Sequence, residues 1–362
     1  MRNIVVEMAP IVMALALAAT ILGCAPQTET LRISHAGSLA VPFADLKAGF
    51  EELHPNVDAV LESGGSAEII SRAIAQEQAG ESPPDIIASA DYKLIPERLY
   101  ADGYADWYIA FARNKMVLCY RDGAPGSEAI GSGERRWYDV LRNDTVSYGH
   151  SDPDADPCGY RTLLVTQLAQ KYYHDEAAEF GLTPDSNAAG LYDALLPGTE
   201  HERGRTGGTS EARPGGSEEI VSKKSVDLIV ALQTGDLDYA FEYRSVAVQH
   251  EVDFIELDDH INLSKTNAEL PGVEDFYNQA SIEIISDVGP PPTYDAKKGG
   301  AIVYGITIPL HAQNEGLAAD FIDLLLSETG KEIMEMKYGQ PFIEPVICDH
   351  PENLPDGLKG VL

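Results

Sequence analysis

The chain has 362 residues, of which 44% are hydrophobic, and it carries 58 acidic against 26 basic side chains, a formal net charge of −32. This length and apolar content are typical of a globular protein with about two domains, and exclude a disordered chain. The charge argues against nucleic-acid binding and against docking on anionic lipid through a basic patch, because both need concentrated positive charge.

The acidic residues are spread along the whole chain and are not gathered in one tail. An acidic surface of this kind repels itself, and concentrated salt screens that repulsion because the Debye length falls to about 3 Å at 1 M. We therefore predict a halophilic source. This prediction concerns habitat and says nothing of activity.

The N-terminus contains an apolar run, PIVMALALAATILG, that is too short to span a bilayer and suits the core of a secretory signal. It ends in Leu22-Gly23-Cys24, a pattern typical of a lipobox. We predict a signal peptide over 1–23, lipidation of Cys24 and a tether over 24–30, which would place the protein on the extracellular face of the membrane. The alternative is an N-terminal membrane helix that is never cut.

Two strand-turn-helix units follow the tether. Residues 31–53 predict a strand, a Gly-Ser turn and a helix beginning near Ser38. A second strand over 57–61 leads through Gly-Gly-Ser to a helix opening at Ser66, and another apolar strand, PDIIAS, comes next. Alternating strands and helices predict an α/β fold with a parallel sheet that binds ligands at the carboxyl ends of its strands.

Two stretches in the middle of the chain depart from the strand-turn-helix pattern. Residues 107–122 form a long apolar strand pattern that is broken by the polar Arg113-Asn114-Lys115. Residues 198–218 lack periodicity and are rich in glycine and charge, which predicts a flexible surface insertion.

Ser38 and Ser66 each follow a glycine between a predicted strand and a predicted helix. Such a turn brings together backbone N–H groups, a hydroxyl donor and the positive end of a helix dipole, and so suits an anion. A single turn of this kind is also explained by serine as a plain helix cap. Two of them in successive units converge on one sheet edge and favour an anion site.

The stretch SDPDADPCGYR, residues 151–161, has alternating carboxylates at Asp152, Asp154 and Asp156. Their spacing matches the start of an EF-hand loop, but Pro157 replaces the required glycine and Leu163 the required twelfth-position acid. An EF-hand is excluded. A simple surface calcium site or turn-forming aspartates remain as alternatives.

Six motifs occur in one order along the chain: HAGSL, HPNVDAV with GGS, DIIASADYKLIP, YADWYIAFARNKMVL, SDPDADPCGYR and DYAFEYRSVAVQH. Together they resemble the archaeal tungstate/molybdate-binding proteins of ABC importers, the WtpA-type relatives of ModA. The resemblance covers nearly all of residues 31–345, and the insertion and the acidic surface depart from it without touching a motif.

The resemblance implies a two-lobed periplasmic-binding-protein fold of type II, each lobe a mostly parallel sheet flanked by helices, with a two-strand hinge. We place the crossings near residues 111–118 and 239–247. The predicted lobes are therefore 31–112 with 246–362, and 113–245.

The resemblance also implies an oxyanion held by hydroxyl and backbone donors at Ser38 and Ser66, and two carboxylates that reach its metal centre. One matches Glu242 and the other an acid of the SDPDADPCGYR loop, for which we favour Asp156 over Asp154. Tungsten(VI) and molybdenum(VI) accept extra oxygen ligands and sulfur in sulfate does not, so such carboxylates would attract one class of oxyanion and repel the others.

Other side chains near these motifs are assigned lesser roles. We expect Ser89 and Asp91, with Tyr92, to support the site from behind, Tyr243 to be core and His35 to be a hydrogen-bonded turn residue. Arg161 and Arg244 either neutralise the anion or, as we prefer, form structural ion pairs. The cysteines that remain after Cys24 match no zinc pattern; we expect free thiols, with a Cys158–Cys348 disulfide as the alternative.

The predicted function is an extracytoplasmic receptor, a monomer without cofactor or catalysis, that delivers tungstate or molybdate to an ABC permease. Three alternatives remain open: a receptor for sulfate or phosphate, a secreted metal-dependent hydrolase, and a sensory binding module. The hydrolase lacks support because neither H-E-x-x-H nor G-x-S-x-G occurs.

Overall fold

The computed structural model describes residues 28–143, 145–198, 218–287 and 289–360. The predicted signal peptide, Cys24 and nearly all of the predicted insertion, 199–217, lie outside these residues. The tether predicted over 24–30 is too long, because Glu29 and Thr30 already belong to the first strand and pair with its neighbour.

The strands of the described residues are β1 Glu29–Ala36, β2 Val57–Gly64, β3 Ile86–Ser89, β4 Tyr108–Asn114, β5 Met116–Tyr120, β6 Ser147–Ser151, β7 Glu218–Ser222, β8 Tyr239–Tyr243, β9 Phe254–Glu256, β10 Ser281–Asp287, β11 Thr293–Lys298, β12 Ile302–Thr307 and β13 Phe342–Asp349.

The α-helices of the described residues are α1 Ala40–Leu53, α2 Ser66–Gln78, α3 Ser127–Gly131, α4 Trp137–Asn143, α5 Pro157–Gln170, α6 Leu191–Leu195, α7 Val226–Thr234, α8 Arg244–Gln249, α9 Val273–Tyr277, α10 Glu315–Leu326 and α11 Glu328–Lys331. None of the helices in the described ranges has the length and apolar character needed to cross a membrane.

Two separate mixed sheets, each flanked by helices, form the two lobes. The first lobe is built on the order β13-β4-β12-β3-β1-β2 and the second on β7-β6-β8-β5-β9. Strands β1 to β3 are parallel, as are β6 to β8, and β10 with β11 forms an antiparallel hairpin of its own. The two-lobed α/β fold predicted from the sequence is confirmed.

Both sheets contain more antiparallel pairing than the expected mostly parallel arrangement, and the crossing strands are the reason. The chain leaves the first sheet at the end of β4 and, after Lys115 alone, enters the second sheet as β5. Strand β5 lies between β8 and β9 and runs against the direction of both. Strand β12 returns in the same way and runs antiparallel to β3 and β4.

The second crossing differs from the expected strand over 239–247. Strand β8 ends at Tyr243 and the chain continues as α8, with Val246 and Ala247 buried. After this helix β9 pairs with β5, so the second sheet continues to Glu256, beyond the lobe boundary predicted at residue 245.

The predicted turn and helix starts agree closely with the structure. A short 3-10 turn over Gly37–Leu39 precedes α1, and α2 begins at Ser66, where the Glu68 carboxylate accepts a 3.4 Å hydrogen bond from the Gly65 N–H. The strand predicted over 107–122 is two strands, separated at the predicted break.

Candidate functional site

The two Gly-Ser turns of the first lobe each hold a buried serine. The Ser38 hydroxyl lies 2.8 Å from the hydroxyl of Tyr304 on β12, and its carbonyl accepts a 3.0 Å hydrogen bond from the Gln249 side chain. The Ser66 hydroxyl accepts a 2.9 Å hydrogen bond from the Ala90 N–H. Both hydroxyls are therefore held in place by other parts of the protein and not by capping their own helices.

Asp156 is the N-cap of α5 in the second lobe. Its Oδ1 accepts from the Cys158 N–H at 3.0 Å, and its Oδ2 accepts from the Ser225 N–H at 2.9 Å. Burial raises the pKa of this carboxyl, and the two N–H groups oppose that rise. Asp156 is thus a buried acid whose ionised form is stabilised by backbone donors.

Glu242 on β8 is fully buried. Its Oε1 accepts from the Tyr243 N–H at 2.7 Å and from the Cys158 thiol at 3.6 Å, whereas its Oε2 has no hydrogen-bond partner within the described part of the chain. Burial raises the pKa of Glu242 to about 8, the Tyr243 N–H opposes that rise, and the charge of Asp156 adds to it. Such an arrangement destabilises the ionised form of Glu242 in the absence of a positive partner.

The structure brings the Ser66 turn and the Asp156 loop into direct contact across the two lobes. A Cβ atom at Gly65 would lie 2.2 Å from the Ala155 carbonyl oxygen and 3.4 Å from the Asp156 Cβ. Only glycine allows the two turns to approach this closely. The turn that holds Ser66 and the loop that holds Asp156 therefore meet at the lobe boundary.

Asp154, the second choice for a site carboxylate, contacts the β10–β11 hairpin. Its Oδ1 accepts a 2.8 Å hydrogen bond from the Ile285 N–H on β10, and its own N–H donates to Asp152 Oδ1 at 3.0 Å. Asp154 therefore fixes the β10–β11 hairpin to this loop, and Asp152 forms the turn-stabilising contact expected of it.

Ser89 and Asp91 support the lobe boundary. The Ser89 hydroxyl donates to the Asp91 carbonyl at 2.7 Å, and the Asp91 carboxylate accepts from the Tyr160 hydroxyl of the second lobe. Arg161 lies 4.0 Å from that carboxylate and donates to the Ala90 carbonyl at 2.8 Å and to the Tyr243 hydroxyl at 2.6 Å. Arg161 thus joins the lobes, in line with the structural role preferred for it.

Three further candidates from the sequence have their side chains in other contacts, away from the carboxylates of Asp156 and Glu242. Tyr243 is buried, Arg244 pairs with Glu256 at 3.1 Å, and the buried His35 donates from Nδ1 to the Ala36 carbonyl at 2.9 Å. Burial lowers the pKa of His35 to about 4, so its ring is neutral.

The three cysteines of the described residues are free thiols, as expected, and Cys158 and Cys348 do not form a disulfide. Cys158 instead lies fully buried against Glu242, and burial raises the pKa of its thiol. It is therefore a neutral donor to the carboxylate.

Several contributors to the site were not predicted from the sequence. Tyr304 lies in an apolar strand pattern that predicts only core, and Ser225 follows the unpatterned insertion, where no periodicity indicates structure. Cys158 stands inside the SDPDADPCGYR motif, and its position next to the helix cap was the one available signal. Within the described ranges, no group of three or more His, Cys, Asp or Glu residues could hold a metal ion.

Comparisons with known proteins agree with this architecture. A family model described as bacterial extracellular solute-binding protein matches residues 31–339. The chain is similar to an uncharacterized solute-binding protein of Methanoculleus marisnigri, at 36% identity over 338 residues that cover 93% of this chain and 88% of the relative. It is also similar to the molybdate/tungstate-binding protein WtpA of Pyrococcus abyssi, at 35% identity over 361 residues and 96% of each chain.

Among solved structures, the periplasmic molybdate-binding protein of Azotobacter vinelandii has the same fold, with a TM-score of 0.51 at 14% identity over 87% of this chain and 99% of that one. The family model matches residues 31–339, and the two relatives share more than a third of their residues with this chain over nearly its full length, which together establish the family. The chain belongs to the bacterial extracellular solute-binding proteins.

Proposed function

We propose that this protein captures tungstate or molybdate between its two lobes and delivers the ion to an ABC permease. The observation that carries the proposal is the pair of buried carboxylates, Asp156 and Glu242, at the lobe boundary, with Glu242 Oε2 lacking a protein partner among the described residues. The name of the Pyrococcus abyssi relative, a molybdate/tungstate-binding protein, supports the same ligand class.

The charge of the pair explains why the ligand would be an unusual anion. Two like charges buried together destabilise each other, and burial alone disfavours each ionised carboxylate. Any of these oxyanions adds further negative charge, and sulfate and phosphate have no central atom that accepts a carboxylate oxygen to compensate. Tungsten(VI) and molybdenum(VI) accept additional oxygen ligands, so in the proposed complex Asp156 and Glu242 contact the metal centre.

The first lobe supplies the complementary donors. In the proposed complex the hydroxyls of Ser38 and Ser66, with the backbone N–H groups of their turns, donate to the oxo oxygens of the ligand. This division lets one lobe bind the periphery of the oxyanion and the other its centre.

Capture would proceed by closure of the lobes, which the ligand stabilises by contacting both of them. The contacts that would form on closure are those of Arg161 with Ala90, Tyr160 with Asp91, and Lys224 with the Ser63 carbonyl at 3.4 Å. The hinge would lie at the crossing, where the Asn114 side chain donates to the Ser245 hydroxyl at 2.8 Å. The permease would then distinguish closed from open receptor.

The cellular setting is part of the proposal. We infer that Cys24 carries lipid and anchors a monomeric receptor to the extracellular face of the membrane, that the source is halophilic, and that the protein neither uses a cofactor nor catalyses a reaction. The LGC sequence supports the lipid anchor, and the net charge of −32 supports the halophilic source.

Calorimetric titration in concentrated KCl with sodium tungstate, sodium molybdate and sodium sulfate tests the proposal. We expect tight one-to-one binding of tungstate and molybdate and no heat from sulfate. Comparable sulfate binding would support the alternative, a receptor that uses the serine turns alone, and would remove the role of the carboxylates.

A further inference from the structure

Ser151 is the last residue of β6 and the first of the SDPDADPCGYR stretch. Its side chain is fully buried, and its hydroxyl has no hydrogen-bond partner within the described residues. A buried hydroxyl without a partner is destabilising, and most buried polar groups in proteins are hydrogen-bonded. The role of this serine therefore requires a partner that the described residues do not supply.

The register of the second sheet places Ser151 next to Glu242. Strands β6 and β8 are parallel, with Tyr148 paired to Tyr239 and Gly149 to Ala240. Continuing this register by two residues sets Ser151 beside Glu242, and alternation along each strand puts both side chains on the same face of the sheet. Two buried oxygens that have no hydrogen-bond partner in the described part of the chain, Ser151 Oγ and Glu242 Oε2, thus lie on neighbouring strand ends.

The groups around Ser151 are already engaged. Ser222, its neighbour on β7, accepts from the Lys224 N–H at 3.4 Å, and the preceding His150 is hydrogen-bonded to Glu219 at 2.8 Å. Gly159 lets the start of α5 pack against this strand end, since a Cβ there would lie 2.3 Å from the Ser151 carbonyl oxygen. The same packing that buries Ser151 places Asp156 at the site.

We propose that the Ser151 hydroxyl donates a hydrogen bond to an oxygen of the bound oxyanion, beside the carboxylate of Glu242. This inference rests on the proposed function. Ionised Asp156 and Glu242 offer only acceptor oxygens, so they repel the oxygens of the ligand while they contact its centre. A hydroxyl donor on the same wall offsets that repulsion and gives the second lobe a serine comparable to Ser38 and Ser66.

The variant Ser151→Ala tests this role. We expect its tungstate Kd, measured by calorimetric titration, to rise about tenfold, as for loss of one hydrogen bond to a charged group. The unfolding temperature of the ligand-free protein should stay unchanged or rise, because none of the described residues forms a hydrogen bond with the lost hydroxyl. Thr166→Val is the matched control: the fully buried Thr166 hydroxyl donates to the Thr162 carbonyl at 2.8 Å within α5, so this change should lower the unfolding temperature and leave the tungstate Kd unchanged.

A tungstate Kd of Ser151→Ala within twofold of the wild type would overturn the inference and leave the proposed function intact. A fall in its ligand-free unfolding temperature comparable to that of Thr166→Val would also overturn it, because the hydroxyl would then already have a partner. Absence of tungstate binding by the wild type would instead defeat the proposed function itself. A crystal structure of the wild type with tungstate gives an independent reading, with Ser151 Oγ expected about 3 Å from a ligand oxygen.

Discussion

The two walls of the candidate site are chemically opposite. The first lobe contributes neutral hydroxyls, Ser38 and Ser66, each held by a partner within that lobe, Tyr304 and Ala90. The second lobe contributes buried carboxylates whose ionised forms are disfavoured by burial. Neutral donors suit any small oxyanion, whereas buried carboxylates suit only a ligand with an electron-poor centre. Selectivity would therefore reside in the second lobe and general anion affinity in the first.

The largest expected effect on tungstate affinity comes from removing the charge of Glu242, a carboxylate of the second wall. In Glu242→Gln we expect the tungstate affinity to fall about 100-fold or more, consistent with losses of roughly 2–5 kcal/mol when one member of a buried charged contact is removed. Titration calorimetry of the variant measures this loss. Glu256→Gln is the control, because Glu256 is exposed and its ion pairs, with Lys115 and Arg244, lie near the hinge. Equal tungstate affinity in Glu242→Gln and wild type would show that the second-lobe carboxylate does not contact the metal centre as proposed.

The second wall should also determine how stability depends on pH. The pKa of Glu242 is about 8 in the folded protein and 4.5 as its ordinary value, so between these pH values the unfolded chain has released a proton that the folded protein retains. The free energy of unfolding of the ligand-free protein should therefore fall as pH rises from 4.5 to 8, by on the order of a few kcal/mol, and level off above 8.

Denaturant unfolding at pH 5 and pH 8.5 measures this change. Glu242→Gln should lose most of the pH dependence, and Glu256→Gln should keep it. An equal fall in stability with pH in Glu242→Gln and wild type would place its origin elsewhere, for instance in Asp156.

A smaller effect is expected on the first wall. In Ser66→Ala we expect the tungstate and molybdate affinities to fall by the same factor, about tenfold. The hydroxyl would donate only to oxo oxygens, which both ions present in the same way. Titration with both ions measures this ratio, and Ser71→Ala, a hydroxyl that donates only along α2 and lies near Arg98, is the control. A change in the preference between the two ions would contradict the division between periphery and centre.

The smallest effect is expected for the acid that lies just outside the second wall. Asp154→Asn should leave the tungstate Kd within twofold of the wild type and lower the unfolding temperature by a few degrees, because the Ile285 N–H loses a charged acceptor. Titration and thermal unfolding together check this outcome. A large loss of affinity would mean that Asp154, and not only Asp156, belongs to the second wall.

The pair Asp154 and Asp156 shows how far the sequence could be interpreted. Both are aspartates in one loop, and alternation alone does not separate them. Asp156 precedes Pro157, and Asp followed by Pro is a pattern typical of a helix start, so its capping role was predictable. One hydrogen-bond partner of Asp154, Ile285, lies 131 residues away along the chain, and no local pattern indicates such a contact.

The same distinction holds for the fold. Hydrophobic periodicity and the Gly-Ser turns predicted the strand-turn-helix units and the start of α2 at Ser66, because these depend on local sequence. The antiparallel entry of β5 and β12 depends on where the chain crosses between lobes, and the thiol contact of Cys158 with Glu242 depends on packing of α5 against β8. Such features follow from tertiary geometry and are not encoded in any short window.

Gly65 has a consequence for lobe closure, and therefore for both affinity and transport. Its φ of −64° is open to any residue, so alanine there would fold normally, but its methyl group would occupy the 2.2 Å gap to the Ala155 carbonyl. The methyl group would clash with the second lobe and hold the lobes apart, although no proposed ligand-binding side chain is changed. Because the proposed ligand contacts both lobes only in the closed form, such a receptor would bind tungstate weakly and would rarely present the closed form to the permease.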